Sequence, residues 1–184
     1  VIAGSEVKNK GYFRTIVGAQ LSTAVNGNLV SDNVRVISGN VLTGAETKAE
    51  GYLGFYDSQV TVIPEGNQYE MFGWALPGFN KFSAGRTFFS WLMGKKEYKL
   101  DTNTHGEKRA FVVSNELDKV FPMDIYPEYL FKAIMAQDID KMDQLGIYEV
   151  VEEDIALCEF VCTSKIPLQK VLRNGLDLMV KEVG

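Results

Sequence analysis

EEDIALCEFVCTSK, residues 152–165, is the stretch on which the reading of the fold turns. Glu152, Glu153 and Asp154 open it with three acids, the charge that a helix N-terminus favours. Ile155, Cys158 and Cys162 then follow at spacings of three and four, which places them on one helical face. The stretch predicts a helix with an apolar inner face. It also holds the two cysteines of the chain, in a C-x3-C spacing. Cysteine thiolates hold iron–sulfur clusters, and a [4Fe–4S] cluster takes four of them. The helix therefore poses a choice between a metal site and a packed core.

Working outward, the pattern stays helical on both sides. Pro167 starts a last helix, with Leu168, Val171, Leu172, Leu176 and Met179 on one face. Pro127 sits at a first helical position, where its missing N–H is no loss, and Leu130, Phe131, Ile134 and Met135 make the stripe that follows. Asp138 caps a short helix closing near Gly146. Residues 114–184 thus read as a compact helical domain. Residues 1–66 read as a small β-rich unit. Its strands are the opening VIAGSEV, Tyr12–Val17, Asn33–Ser38 and Gln59–Pro64, with a short helix at Gln20–Ala24 and turns at Asn26-Gly27, Gly39-Asn40 and Glu65-Gly66. Residues 67–113 connect the two, with strands expected at Tyr69–Trp74 and Arg109–Val113. The expected fold class is α+β.

Composition excludes several functions. The chain has 184 residues, 46% hydrophobic and 23% charged, and a net charge of −5. A nucleic-acid binder would show a basic patch or stripe, so no nucleic-acid partner is expected. No apolar run reaches the roughly 18–20 residues of a membrane span, and no signal-peptide pattern opens the chain. A start at Val1, inside a strand and without methionine, reads as a piece of a longer protein. Reduced thiols are the default for two cysteines without a secretory context. No glycine-rich phosphate loop and no nucleophile elbow occur. His105, the single histidine, lies in a polar loop, Asp101–Glu107, where a solvated side chain without a carboxylate neighbour is expected. The acidic run Glu149–Asp154 lacks the shaped glycine loop of a calcium site.

Four words of the sequence carry a resemblance: VRVISGNVLTG (34–44), VTVIPEG (60–66), FGWALPGFNKFSAGRTF (72–88) and EEDIALCEFVCTSK (152–165). In content and order they resemble the C-terminal part of the NqrA family, one of the subunit families of the sodium-translocating NADH:quinone oxidoreductases (Nqr). The resemblance implies a fold similar to the NADH-binding subunit of respiratory complex I and the C subunit of the Rnf complex. It implies an SLBB-like β-grasp domain over residues 1–66 and a helical domain over 114–184, with a Rossmann-like portion upstream. It implies a peripheral subunit on the cytoplasmic face of the bacterial inner membrane, in an enzyme that passes electrons from NADH to ubiquinone or menaquinone and exports sodium. The expected partners are the other Nqr subunits, especially a membrane-embedded one at the quinone site. NADH, flavins and an iron–sulfur centre are expected on those subunits, and quinone is the one candidate ligand for this chain. The chain alone is expected to be inactive.

The Rnf relative carries runs of C-x2-C-x2-C-x3-C followed by proline. This chain keeps the final C-x3-C, with Thr163 in the place of the proline. With two of four ligands, no metal site is expected, and Cys158 and Cys162 read as small core residues. The competing reading is a free-standing ligand-binding or iron–sulfur redox module built on the β-grasp domain and those two thiols. The aromatics of residues 73–92, Trp74, Phe79, Phe82, Phe88, Phe89 and Trp91, read as core between the β and helical parts, against a contact surface or a wall near quinone. Lys81, Arg86, Lys95 and Lys96 add positive charge there. No catalytic residue is expected, and no cofactor-binding residue can be assigned from the sequence.

Overall fold

The computed structural model describes residues 1–94 and 97–183. The chain combines a four-stranded mixed sheet with several helices. It forms two compact units, Val1–Met71 with Lys96–Gly106, and Phe72–Lys95 with Glu107–Gly184.

The first unit holds β1 (Ile2–Ala3), α1 (Ser22–Val25), β2 (Val34–Ser38), β3 (Ala45–Thr47) and β4 (Val60–Pro64). The sheet order is β1-β4-β2-β3. β1 runs parallel to β4, and the other neighbours are antiparallel. Val36 stands opposite Val62, and both are buried with Ile2, Val7, Leu21, Val25 and Val60 in one core. β-branched residues favour this pleated, packed setting. Gly4 has φ +117°, and a Cβ there would lie 1.9 Å from the Val62 carbonyl oxygen, so the chain turns past β4 only as glycine.

Polar contacts join the segment ending at Gly106 to this unit. Arg35 forks onto Glu65, Nε to Oε2 at 2.8 Å and an outer nitrogen to Oε1 at 2.7 Å. Thr102 donates its hydroxyl to the same carboxylate at 2.8 Å and accepts the amide of Gly66 at 2.7 Å. Glu6 is buried. Its carboxylate takes the Ser31 hydroxyl at 2.7 Å and lies 2.5 Å from the Lys99 ammonium. Lys99 and then Ser31 hold the Glu6 carboxyl below its usual range.

The second unit holds α2 (Pro127–Ala136), α3 (Ile139–Gln144), α4 (Ala156–Val161) and α5 (Leu168–Val183). Pro127 occupies the first turn of α2, and Asp138 caps α3 by accepting the Lys141 amide at 3.2 Å. Glu152–Ile155 form a single turn of 3-10 helix leading into α4, and Asp154 accepts the Val151 amide at 3.2 Å. Glu159 accepts the Gln169 amide at 2.8 Å, closing the first turn of α5. Leu130, Phe131 and Ile134 of α2 share a buried core with Leu168, Leu172 and Met179 of α5 and with Met142, Ile147 and Ile155. Met135 faces outward instead. Gly175 lets α5 close on α2: a Cβ there would lie 2.9 Å from Ile134 Cγ2 and 3.0 Å from Ile147 Cδ1.

Three expected strands do not form. Residues 12–16 leave the sheet after a one-residue bridge from Gly11 to Ile2. Their alternation has no neighbouring strand to satisfy its backbone. Residues 69–74 run as coil and turn. Residues 109–113 form no regular element; Arg109 N donates to Ser164 O at 3.4 Å, and Phe111 meets Phe131 edge-on at 6.3 Å. β3 lies outside the expected strands, because Gly44 and the surrounding turn residues mask its three-residue pairing with β2.

Gly175→Leu should lower unfolding stability by about 1–3 kcal/mol, the usual range for overpacking, read by urea denaturation. Glu6 should contribute stability above the carboxylate range, lost as pH falls through and below its ordinary 4.5. Thermal melts should show Glu6→Gln less stable at neutral pH, with a shallower decline on acidification.

Candidate functional site

The C-x3-C thiols sit on the helical core. Cys158 lies in α4, and Cys162 follows its end, its amide donating to Cys158 O at 3.0 Å. Both are free and buried, in one cluster with Ile155, Leu168 and Leu172. Burial first, then the nearby Asp118 charge, pushes the Cys158 thiol up to about 12. A thiol so placed is neutral, and the thiolate is the form that binds metal or attacks. The Cys158 sulfur points 3.8 Å from the Leu117 carbonyl oxygen. Among the described residues no group of three or more His, Cys, Asp or Glu is placed to hold a metal ion.

His105 differs from the expectation of a loop histidine without carboxylates. Its Nδ1 lies 3.2 Å from Glu70 Oε1, and its Nε2 lies 3.1 Å from Asp101 Oδ1. Glu70 comes from 35 positions upstream, so the loop composition gave no sign of it. The side chains placed at the ring among the described residues are these two carboxylates.

A groove of about 310 Å³ opens in the first unit. Residues 13–21 form one wall and residues 53–58 the other. Phe13, Ile16, Val17 and Phe55 are exposed along it, and Leu21 and Val60 are buried beneath. Arg14 and Asp57 supply the charge; Asp57 accepts the Ser38 hydroxyl at 2.5 Å. Size and lining suit a small, mostly apolar ring system. Sequence reasoning missed this site because it placed 12–17 in a strand. The available signal was the pairs Tyr12-Phe13 and Ile16-Val17, split by Arg14 and Thr15 and ended by Gly18.

The aromatic stretch is largely surface. Phe88 is buried, while Trp74, Phe79, Phe82, Phe89 and Trp91 are exposed. The expectation of a core fails for those five. Glycine and proline keep most of this stretch in turns, and its one regular element is the short 3-10 helix Phe89–Met93, too short to bury every ring. Lys81 and Arg86 each lie 5.6 Å from a ring centroid, over Phe88 and Trp91. Lys95 and Lys96 lie outside the described residues. No described helix is long and apolar enough to cross a membrane.

Comparison with known proteins gives a consistent set of relatives. A family model described as NQRA C-terminal domain matches residues 1–49. The chain is 42% identical over 182 residues to the A subunit of the Na(+)-translocating NADH-quinone reductase of Vibrio atlanticus. It is 41% identical to that of Vibrio campbellii and 40% identical to that of Shewanella frigidimarina. Each match covers 98% of this chain and 41% of the relative. The resemblance read from four sequence words thus extends over nearly the whole chain, which spans well under half the length of these relatives.

In the native state neither thiol should react with Ellman's reagent, and both should react once guanidinium unfolds the chain. Cys158→Ser should cost about 1–3 kcal/mol by burying a hydroxyl, measured by denaturation.

Proposed function

We propose that this chain is the C-terminal part of a peripheral subunit in a sodium-pumping respiratory NADH:quinone oxidoreductase. The observation that carries this reading is identity of 40–42% to NqrA relatives over 98% of the chain. Residues 1–66 then form an SLBB-like β-grasp domain, residues 114–184 a helical domain, and residues 67–113 the aromatic-rich connection. The subunit rests on the cytoplasmic face of the inner membrane against other Nqr subunits. Catalysis belongs to the assembled complex, whose electron carriers sit on those subunits. The chain contributes scaffold.

Cys158 and Cys162 fit this role as packing groups rather than ligands. They are two thiols where a cluster takes four, and the first is held neutral by burial. The free-standing redox module would need thiolates open to metal. Quinone is the ligand proposed for this chain, at the groove between residues 13–21 and 53–58. Its apolar walls suit a ring and the start of an isoprenoid tail.

A chimera tests the assignment: this chain replaces the matching part of the Vibrio atlanticus relative. The chimeric complex should assemble and reduce quinone in a sodium-dependent way, while the chain alone oxidises no NADH. A chimera that folds but fails to assemble would overturn the reading. A photoreactive quinone on the assembled complex should label peptides within 13–24 and 53–60. Labels confined to other subunits would remove the groove from the quinone path and leave the scaffold role standing.

A further inference from the structure

Residues 71–96 contain no aspartate or glutamate and four basic residues, in a chain of net charge −5. They also hold both tryptophans of the chain. Within the second unit this segment folds on itself. Lys81 Nζ donates to Gly73 O at 2.9 Å, Phe89 N to Pro77 O at 2.8 Å, and the Ser90 hydroxyl to Lys81 O at 2.6 Å. Phe72 N donates to Glu107 at 3.1 Å and fixes the start. Buried Phe88, packed on Gly78, anchors the middle.

Two of the rings left outside meet each other. Phe79 and Phe89 have centroids 6.0 Å apart. Phe89–Met93 form a 3-10 turn, whose three-residue repeat puts Phe89 and Leu92 on one face. Buried Ser90 marks the inner side of that turn. Leu92 is 63% exposed and Trp91 49%. The Arg86 guanidinium lies over Trp91, and no carboxylate among the described residues pairs with it.

We propose that Phe79, Phe89, Trp91 and Leu92, with Arg86, form a surface that inserts into the headgroup region of an anionic lipid bilayer. Tryptophan concentrates at that depth because its ring is apolar with one polar edge. Basic side chains beside it meet anionic headgroups. The segment's own side chains carry only positive charge, which an anionic leaflet attracts; Glu107 and Glu116, which approach it at Phe72 and Gly85, are not part of the proposed surface. The inference rests on these residues and not on the chain's place in a respiratory complex.

Flotation of the 184-residue chain with vesicles tests it. Vesicles of phosphatidylcholine with phosphatidylglycerol should carry the chain, at least about fivefold better than phosphatidylcholine alone. Fluorescence should shift to the blue on binding, since both emitters lie in this segment. Arg86→Gln should weaken binding about fivefold, the worth of one basic residue at an anionic surface. The double variant Trp91→Ala, Leu92→Ala should weaken it tenfold or more. Circular dichroism melts matching the unsubstituted chain show that these surface variants fold. Equal binding to both vesicles, no binding to either, or variants that float like the parent would each overturn the proposal. Retention by other subunits in detergent without vesicle binding would also overturn it, in favour of a protein contact.

Discussion

Helix α5 can lie against α2 because position 175 has no side chain. A methyl group there would press on Ile134 and Ile147, and the core of the second unit depends on that approach. Leu168, Leu172 and Met179 reach Leu130, Phe131 and Ile134 only at this separation. The short α4 has too few residues to hold itself as a helix in water. It persists because Ile155, Cys158 and Cys162 are buried in the same core as α5. Each buried Leu, Ile, Phe or Met side chain of this core is worth about 1.5–3 kcal/mol, and the glycine lets the two helices share it.

That dependence explains the place of the two thiols. In a ferredoxin-like setting the C-x3-C face would turn toward a cluster. Here the face turns inward: both thiols lie in the buried core, and the Cys158 sulfur meets the Leu117 carbonyl. The two thiols that read as candidate ligands lie in the buried core, while five of the rings that read as packing lie on the surface. The groove and the exposed aromatic loop are thus carried by units that each have a buried core.

The helices were legible because their signals are local. Pro127, Asp138, the acids at 152–154 and Pro167 mark starts, and apolar residues at helical spacing mark faces. Val34–Ser38 and Val60–Pro64 were legible for the same reason, as β-branched runs between turns. Residues 12–17 have an equally good pattern and form no strand, because pairing needs a neighbour that the local sequence does not name. His105 shows the same limit, since one of its carboxylates is 35 residues away. The groove was hidden because its walls come from two loops that no spacing rule connects. The exposure of the aromatic stretch was equally hidden, since ring density alone does not tell core from contact surface.

The first unit is discontinuous: it takes Val1–Met71 and then a segment ending at Gly106. Synthesis at about 5–20 residues per second places a delay of about 2–7 seconds between the emergence of those two parts. During that interval Glu6 has Ser31 but lacks Lys99, and Arg35 and Glu65 lack Thr102. A nascent sheet would then hold a carboxylate that it cannot bury at full ionisation. On the ribosome, the sheet completes its polar interior only after the aromatic loop has already been made.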